Sequence, residues 1–151
     1  MQAGKMRWTK AAWRIVERLL ISVFVLYGAI FVLDKNFPDR FYECGRDTMD
    51  LKGGVKIFDG RKYRIVLCGT GGDESRMNDK IRLQVFSENG VLLAQRKFYV
   101  NWMMTNWPNE LEYGSSYLIY YDASRQDNSE HRISMPPTWW DWVRARLPLL
   151  S

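Results

Sequence analysis

The chain has 151 residues, 46% of them hydrophobic and 15% aromatic, with 22 Lys or Arg against 17 Asp or Glu, a net charge of +5 and a single histidine. That length holds one compact domain of ordinary size, and the hydrophobic and aromatic content excludes a disordered or low-complexity protein. The excess positive charge lies at the amino terminus: residues 1–18 carry Lys5, Arg7, Lys10, Arg14 and Arg18 against Glu17 alone, leaving 17 basic and 16 acidic residues for the rest. A nearly neutral remainder does not form the basic face that a nucleic acid needs, so no nucleic-acid partner is expected.

From Leu19 to Leu33 no side chain is charged, and the run is built from Leu, Ile, Val and Phe with Ser22, Tyr27, Gly28 and Ala29 interspersed. At about 1.5 Å per residue, that run covers roughly 22 Å of a hydrocarbon core about 30 Å thick, so its flanks must contribute. Trp13, Ile15 and Val16 suit the boundary layer upstream, with Arg14, Glu17 and Arg18 snorkelling or pairing. Pro38 forbids a regular helix from passing through it. These features predict a cytoplasmic lead-in over 1–18, a transmembrane helix over 19–37 that reaches back toward 13, and an exported domain over 38–151. The basic lead-in orients the chain by the positive-inside rule, in an inner or plasma membrane with the carboxy-terminal domain periplasmic or extracellular. A cleaved secretory signal is the main alternative, but Ile30, Phe31, Val32 and Leu33 are bulky where signal peptidase requires small residues. A buried core helix is the other.

Cys44 and Cys68 are the two cysteines, and both fall in the exported part. An even pair in an oxidising compartment is expected to form a disulfide. Closing a loop of about 25 residues stabilises a fold by roughly 3.5 kcal/mol in the chain-entropy model. Free buried thiols are the alternative; no CxxC spacing exists, so no metal centre and no cofactor are expected.

The rest reads as mainly β: an antiparallel β-sandwich or small open barrel with a short C-terminal helix. A strand is expected at Val55–Phe58, and Tyr63, Ile65 and Leu67 alternate with polar or smaller neighbours in the next. The Gly69–Asp73 run, GTGGD, lacks the Lys-Ser or Lys-Thr of a phosphate loop and is expected to be a connection. Asn89-Gly90 then joins two alternating segments, and a type I′ turn there places Ile81 opposite Phe98 and Val85 opposite Ala94. Arg82, Gln84, Gln95 and Lys97 then form a wet outer face. Further strands are expected at Tyr117–Tyr121 and His131–Met135. Pro136-Pro137 ends the last one, and Thr138 with Asp141 three residues on marks the start of a helix over Trp139–Leu147.

No motif in the chain names an activity. His131 is the only histidine, and no G-x-S-x-G elbow accompanies it, so an enzyme is not expected. The anomaly is aromatic: of seven Trp, five cluster as Trp102 and Trp107 and then Trp139, Trp140 and Trp142. Tryptophan fills cores, anchors interfaces and sits at membrane boundaries. The expected partners are therefore the bilayer, through the N-terminal helix, and another protein, through Trp102, Trp107, Trp139 and Trp140. The expected function is a membrane-anchored, non-enzymatic binding domain, preferably an immunity protein that neutralises a toxin. An accessory subunit of an envelope or secretion complex is the alternative, and a membrane-anchored hydrolase ranks third.

Overall fold

The computed structural model describes residues 10–36, 39–71, 78–103, 108–125 and 127–147. The chain divides into two compact units, Met1–Pro38 and Asp39–Ser151. The first contains α1 (Lys10–Asn36), whose Trp13–Leu33 stretch has a mean hydropathy of 2.1 and is not buried within the chain. It is long and apolar enough to cross a membrane, and no other helix among the described residues is.

The second unit is mainly β. It runs α2 (Cys44–Asp50), β1 (Gly54–Phe58), β2 (Arg61–Gly69), β3 (Asn78–Ser87), β4 (Leu92–Asn101), β5 (Glu112–Tyr113), β6 (Tyr117–Tyr121), β7 (Glu130–Ser134) and α3 (Trp139–Arg144). The strands form two antiparallel sheets, ordered β1-β2-β3-β4 and β5-β6-β7. Inward residues of both sheets merge into one core, with Ile65, Leu67, Ile81, Leu83, Val85 and Phe98 from the first and Leu118, Tyr120 and Ile133 from the second. The rings of Phe98 and Tyr120, 5.0 Å apart, join the sheets directly.

The β3–β4 register places Ile81 opposite Phe98 and Val85 opposite Ala94, the pairing expected from counting back from Asn89-Gly90. The turn is different. Of its residues only Gly90 takes a positive φ, 77°, and its N–H donates to the Ser87 carbonyl at 3.0 Å. The connection is longer than two residues, and its slack is absorbed by a bulge between Val85 and Phe86, so the type I′ geometry is not needed. That geometry belongs instead to Asp59-Gly60, both at positive φ (48° and 70°), which join β1 to β2 with Phe58 paired to Arg61.

The outer face of the hairpin is also less wet than predicted. Arg82, Gln84, Gln95 and Lys97 are half-buried, because the segment Asp39–Tyr42 covers part of it. The Phe41 ring lies 4.5 Å from the Arg82 guanidinium, and the Asp39 carboxylate accepts from Lys80 at 2.6 Å and pairs with Lys97 at 3.5 Å. Burial raises the Asp39 pKa, but the two ammonium groups outweigh it and hold the carboxyl below its usual value.

Helix α2 has no periodic pattern and was not expected. It completes the β2 edge where β1 has ended: the Thr48 hydroxyl donates to the Leu67 carbonyl (3.1 Å) and accepts from its N–H (2.9 Å), while Asp47 accepts from Gly69. The Cys44 and Cys68 sulfurs lie 2.08 Å apart, a disulfide distance, with Cα atoms at 4.0 Å. The last strand begins at Glu130 rather than His131, and α3 stops at Arg144.

Candidate protein-interaction surface

The surface built around α3 begins with its cap. The Thr138 Oγ1 accepts from the Asp141 N–H at 3.3 Å, and the Asp141 carboxylate accepts from the Thr138 N–H at 2.9 Å and from its hydroxyl at 2.6 Å. Two orphan donors of the first turn are thereby satisfied, which fixes where the helix starts. The other oxygen of Asp141 pairs with Arg96 of β4, and both side chains are only 12% exposed. Arg96 stands at an inward position of β4, opposite Leu83 and between Ala94 and Phe98. The helix therefore supplies the counter-charge for a cation that the strand alternation turns toward the core.

Asp141 and the residue that caps the C-terminal end of α3, Ala145, lie one turn apart and are both buried. At the far end Arg146 donates to the Leu92 carbonyl (3.2 Å) and to the Trp142 carbonyl (2.9 Å), and its guanidinium lies 3.8 Å from the Trp142 ring centroid. Both ends of the helix are thus tied to β4. Burial pushes the Asp141 carboxyl up, but the Thr138 bonds and the Arg96 charge outweigh it and leave the pKa below the usual carboxylate value.

This anchoring leaves the tryptophans outside. Trp139 and Trp140 are 66% and 63% exposed, their rings 4.9 Å apart in an edge-to-face pair. Trp142, which the sequence reading did not single out as a contact residue, is partly covered by Arg146. Trp102 follows the end of β4 and is 42% exposed beside Met103, whose N–H is held by the Asn101 side chain at 3.0 Å. Among the described residues no ring contact joins Trp102 to the α3 pair. Trp107 lies outside the described residues.

His131 stacks on Tyr120, its cross-strand partner, with ring centroids 5.3 Å apart and planes 28° from parallel. Burial raises the Tyr120 pKa further from neutrality. Among the described residues no three His, Cys, Asp or Glu side chains come together in a way that would hold a metal ion. A buried acidic pair does exist at the end of β2. Asp47 and Asp79 flank Gly69 and Thr70, with Asp79 accepting from the Thr70 hydroxyl (2.8 Å) and N–H (3.2 Å). Burial, reinforced by the charges of Asp79 and Glu43, raises the Asp47 pKa despite the Gly69 hydrogen bond. Both carboxylates are occupied in closing the backbone.

Sequence reasoning located the tryptophans but not Arg96 or Asp141 as their supports. The only local signal was the Thr138-x-x-Asp141 box, which marks a helix start and says nothing of a strand 45 residues away. No protein-family model, no curated protein and no solved structure matches this chain, so the reading of its surface rests on its own geometry.

Proposed function

We propose that the protein is a single-pass membrane-anchored, non-enzymatic binding module whose exported two-sheet domain, a small sandwich, recognises another protein. The observation that carries this reading is the Trp139–Trp140 pair, solvent-facing on a helix clamped at both ends. Clustered, rigidly held aromatics are the side chains that concentrate binding energy at protein interfaces. The apolar α1 and the basic residues before it support a cytoplasmic amino terminus with the domain outside. Within this class the preferred version is an immunity protein that occludes a toxin at the membrane where the toxin acts.

The test is co-purification from gently solubilised membranes, with bound proteins identified and their affinities measured. Trp140→Ala and Trp139→Ala should each weaken the recovered partner by about 2 kcal/mol or more, roughly thirtyfold. His131→Ala should leave binding and function nearly intact. Folded Trp variants with full partner affinity would remove the pair from the binding face, and loss of function in a folded His131→Ala variant would revive an enzyme. A reporter active only outside the cytoplasm, fused after Ser151, should be active; an inactive reporter reverses the orientation. A recovered toxin supports the immunity version, and recovered secretion or assembly subunits support the accessory role.

A further inference from the structure

Strand β1 ends the first sheet, and among the described residues no strand pairs with its outer edge. The two-residue Asp59-Gly60 turn makes Phe58 and Arg61 a hydrogen-bonded pair. Alternation along an antiparallel ladder then makes Lys56–Tyr63 and Gly54–Ile65 hydrogen-bonded pairs too. Val55 and Ile57 consequently direct their N–H and C=O groups away from β2. Among the described residues no hydrogen bond reaches those groups.

The same two residues present apolar side chains on the outer face, 66% and 67% exposed. Their cross-strand neighbours on that face are Arg64 and Lys62. Val55, Lys62 and Arg64 border, with the Ser87–Gly90 turn, a groove of about 450 Å³, with Glu88, 3.9 Å from Lys62, as its acidic member. An exposed apolar edge with unpaired backbone groups is a template for another strand, and proteins ordinarily cover or charge it. Here the strand's own charge, Lys56, is turned to the inner face, its ammonium 4.6 Å from the centroid of the Tyr113 ring.

Lys56 determines what can pair. A second copy of β1 laid antiparallel would set two Lys56 side chains side by side on the inner face and add a second set of Lys62 and Arg64 to the outer one, and like charges across strands repel. A strand carrying carboxylates meets the opposite situation: one acidic side chain sits beside Lys56, and others on the outer rim reach Lys62 and Arg64.

We propose that the free edge of β1 is a strand-addition site for an extended acidic segment of a protein partner, with aliphatic side chains against Val55 and Ile57 and a carboxylate beside Lys56. The inference deepens the protein-binding reading and rests on it, but on a different surface from the tryptophan pair. Main-chain hydrogen bonds to Val55 and Ile57 supply affinity, and the basic neighbours supply selectivity.

The probe is a fluorescein-labelled peptide of alternating Val and Glu, titrated against the full chain in zwitterionic micelles. Fluorescence anisotropy reads affinity, and amide hydrogen exchange reads where the peptide lies. Saturable binding is expected, with Val55 and Ile57 amides newly protected. A Val and Lys peptide, and Lys56→Glu with the original peptide, should each bind about tenfold more weakly or worse, and Lys56→Glu should favour the basic peptide. Methylating alternate peptide nitrogens, which leaves the protein untouched, should abolish binding; Ile57→Pro should do the same in the protein. Absence of saturable binding, equal affinity for both peptides, indifference to N-methylation, or protection elsewhere would each overturn the proposal. So would a concentration-dependent dimer abolished by Ile57→Lys, which would put a second copy on the edge. Failure here with partner recovery still sensitive to Trp140→Ala removes the edge and leaves the binding reading; the reverse pattern removes the tryptophan pair alone.

Discussion

In the β3–β4 hairpin the inward apolar residues Ile81, Leu83, Val85, Ala94 and Phe98 are all essentially withdrawn from solvent, with Arg96 the one cation among them, and Arg82, Gln84, Gln95 and Lys97 lie on the other face. In α3 the arrangement is inverted: Asp141 and Ala145 point inward, while Trp139 and Trp140, the largest apolar side chains available, point out. The hairpin is held by apolar area removed from water, which is non-directional and accumulates along the strand. The helix is held by a capping box, one shielded ion pair and an arginine bonded to the Leu92 carbonyl. Directional bonds can position a short helix without spending its aromatic surface, so that surface stays exposed.

If that contrast is right, substitutions should separate the two regions, with stability followed by denaturant unfolding of the full chain in micelles. The largest effect belongs to the hairpin: Leu83→Ala leaves a cavity between the sheets and should cost about 3 kcal/mol. Next comes Asp141→Ala, which removes the box and leaves Arg96 partly buried without its carboxylate; it should cost about 2 kcal/mol. A change under about 0.5 kcal/mol would mean that α3 is held by something else.

Acid provides a second view of the same clamp. A carboxyl whose folded pKa is depressed stabilises the fold above its unfolded pKa, about 3.9, and loses that contribution as pH falls through the lower folded value. Loosening of α3 should therefore begin below about pH 4, read from tryptophan fluorescence, and Asp141→Asn should flatten that part of the profile. Asp47 has the opposite sign. Its raised pKa makes the protonated form the favoured one, so its contribution is lost as pH rises through the folded pKa. Asp47→Asn keeps an oxygen for the Gly69 N–H and should raise stability at neutral pH by less than about 1 kcal/mol. A loss of stability instead would show that the charge is used.

The smallest stability effect is the most telling for function. Trp139→Ala and Trp140→Ala should each change unfolding by no more than about 0.5 kcal/mol, because both rings are largely in solvent. A cost near that of Leu83→Ala would make them part of the core and end the contrast.

Much of the β-domain was legible because its signals are local. Val55–Phe58 and Tyr117–Tyr121 are short β-prone runs set off by turn segments, β2 and β3 alternate with period two, and the α3 start follows from Thr138 and Asp141. The Asp59-Gly60 turn was equally legible, yet Asn89-Gly90 carried the same kind of dipeptide, and only loop length separates the two outcomes. Helix α2 left no pattern because its placement depends on Thr48 and Asp47 meeting a strand edge about twenty residues away. The wet face assigned to Arg82 and Lys97 was half covered for a similar reason: Asp39 and Phe41 reach it from a segment more than forty residues upstream.

By itself, then, the sequence determined the apolar helix, the strand periods, the hairpin pairing and the helix cap, because each depends on residues within a few positions of one another. Tertiary structure alone decided which apolar side chains stayed outside. Whether a tryptophan is core or surface depends on what lies across from its backbone: Arg96 stands opposite Leu83, calls for a carboxylate, and draws Asp141 rather than Trp140 toward the interior. It also decided that, among the described residues, Val55 and Ile57 lie on an unpaired edge, because sheet order is a matter of which strands meet, and alternation within β1 is the same whether a neighbour is present or not.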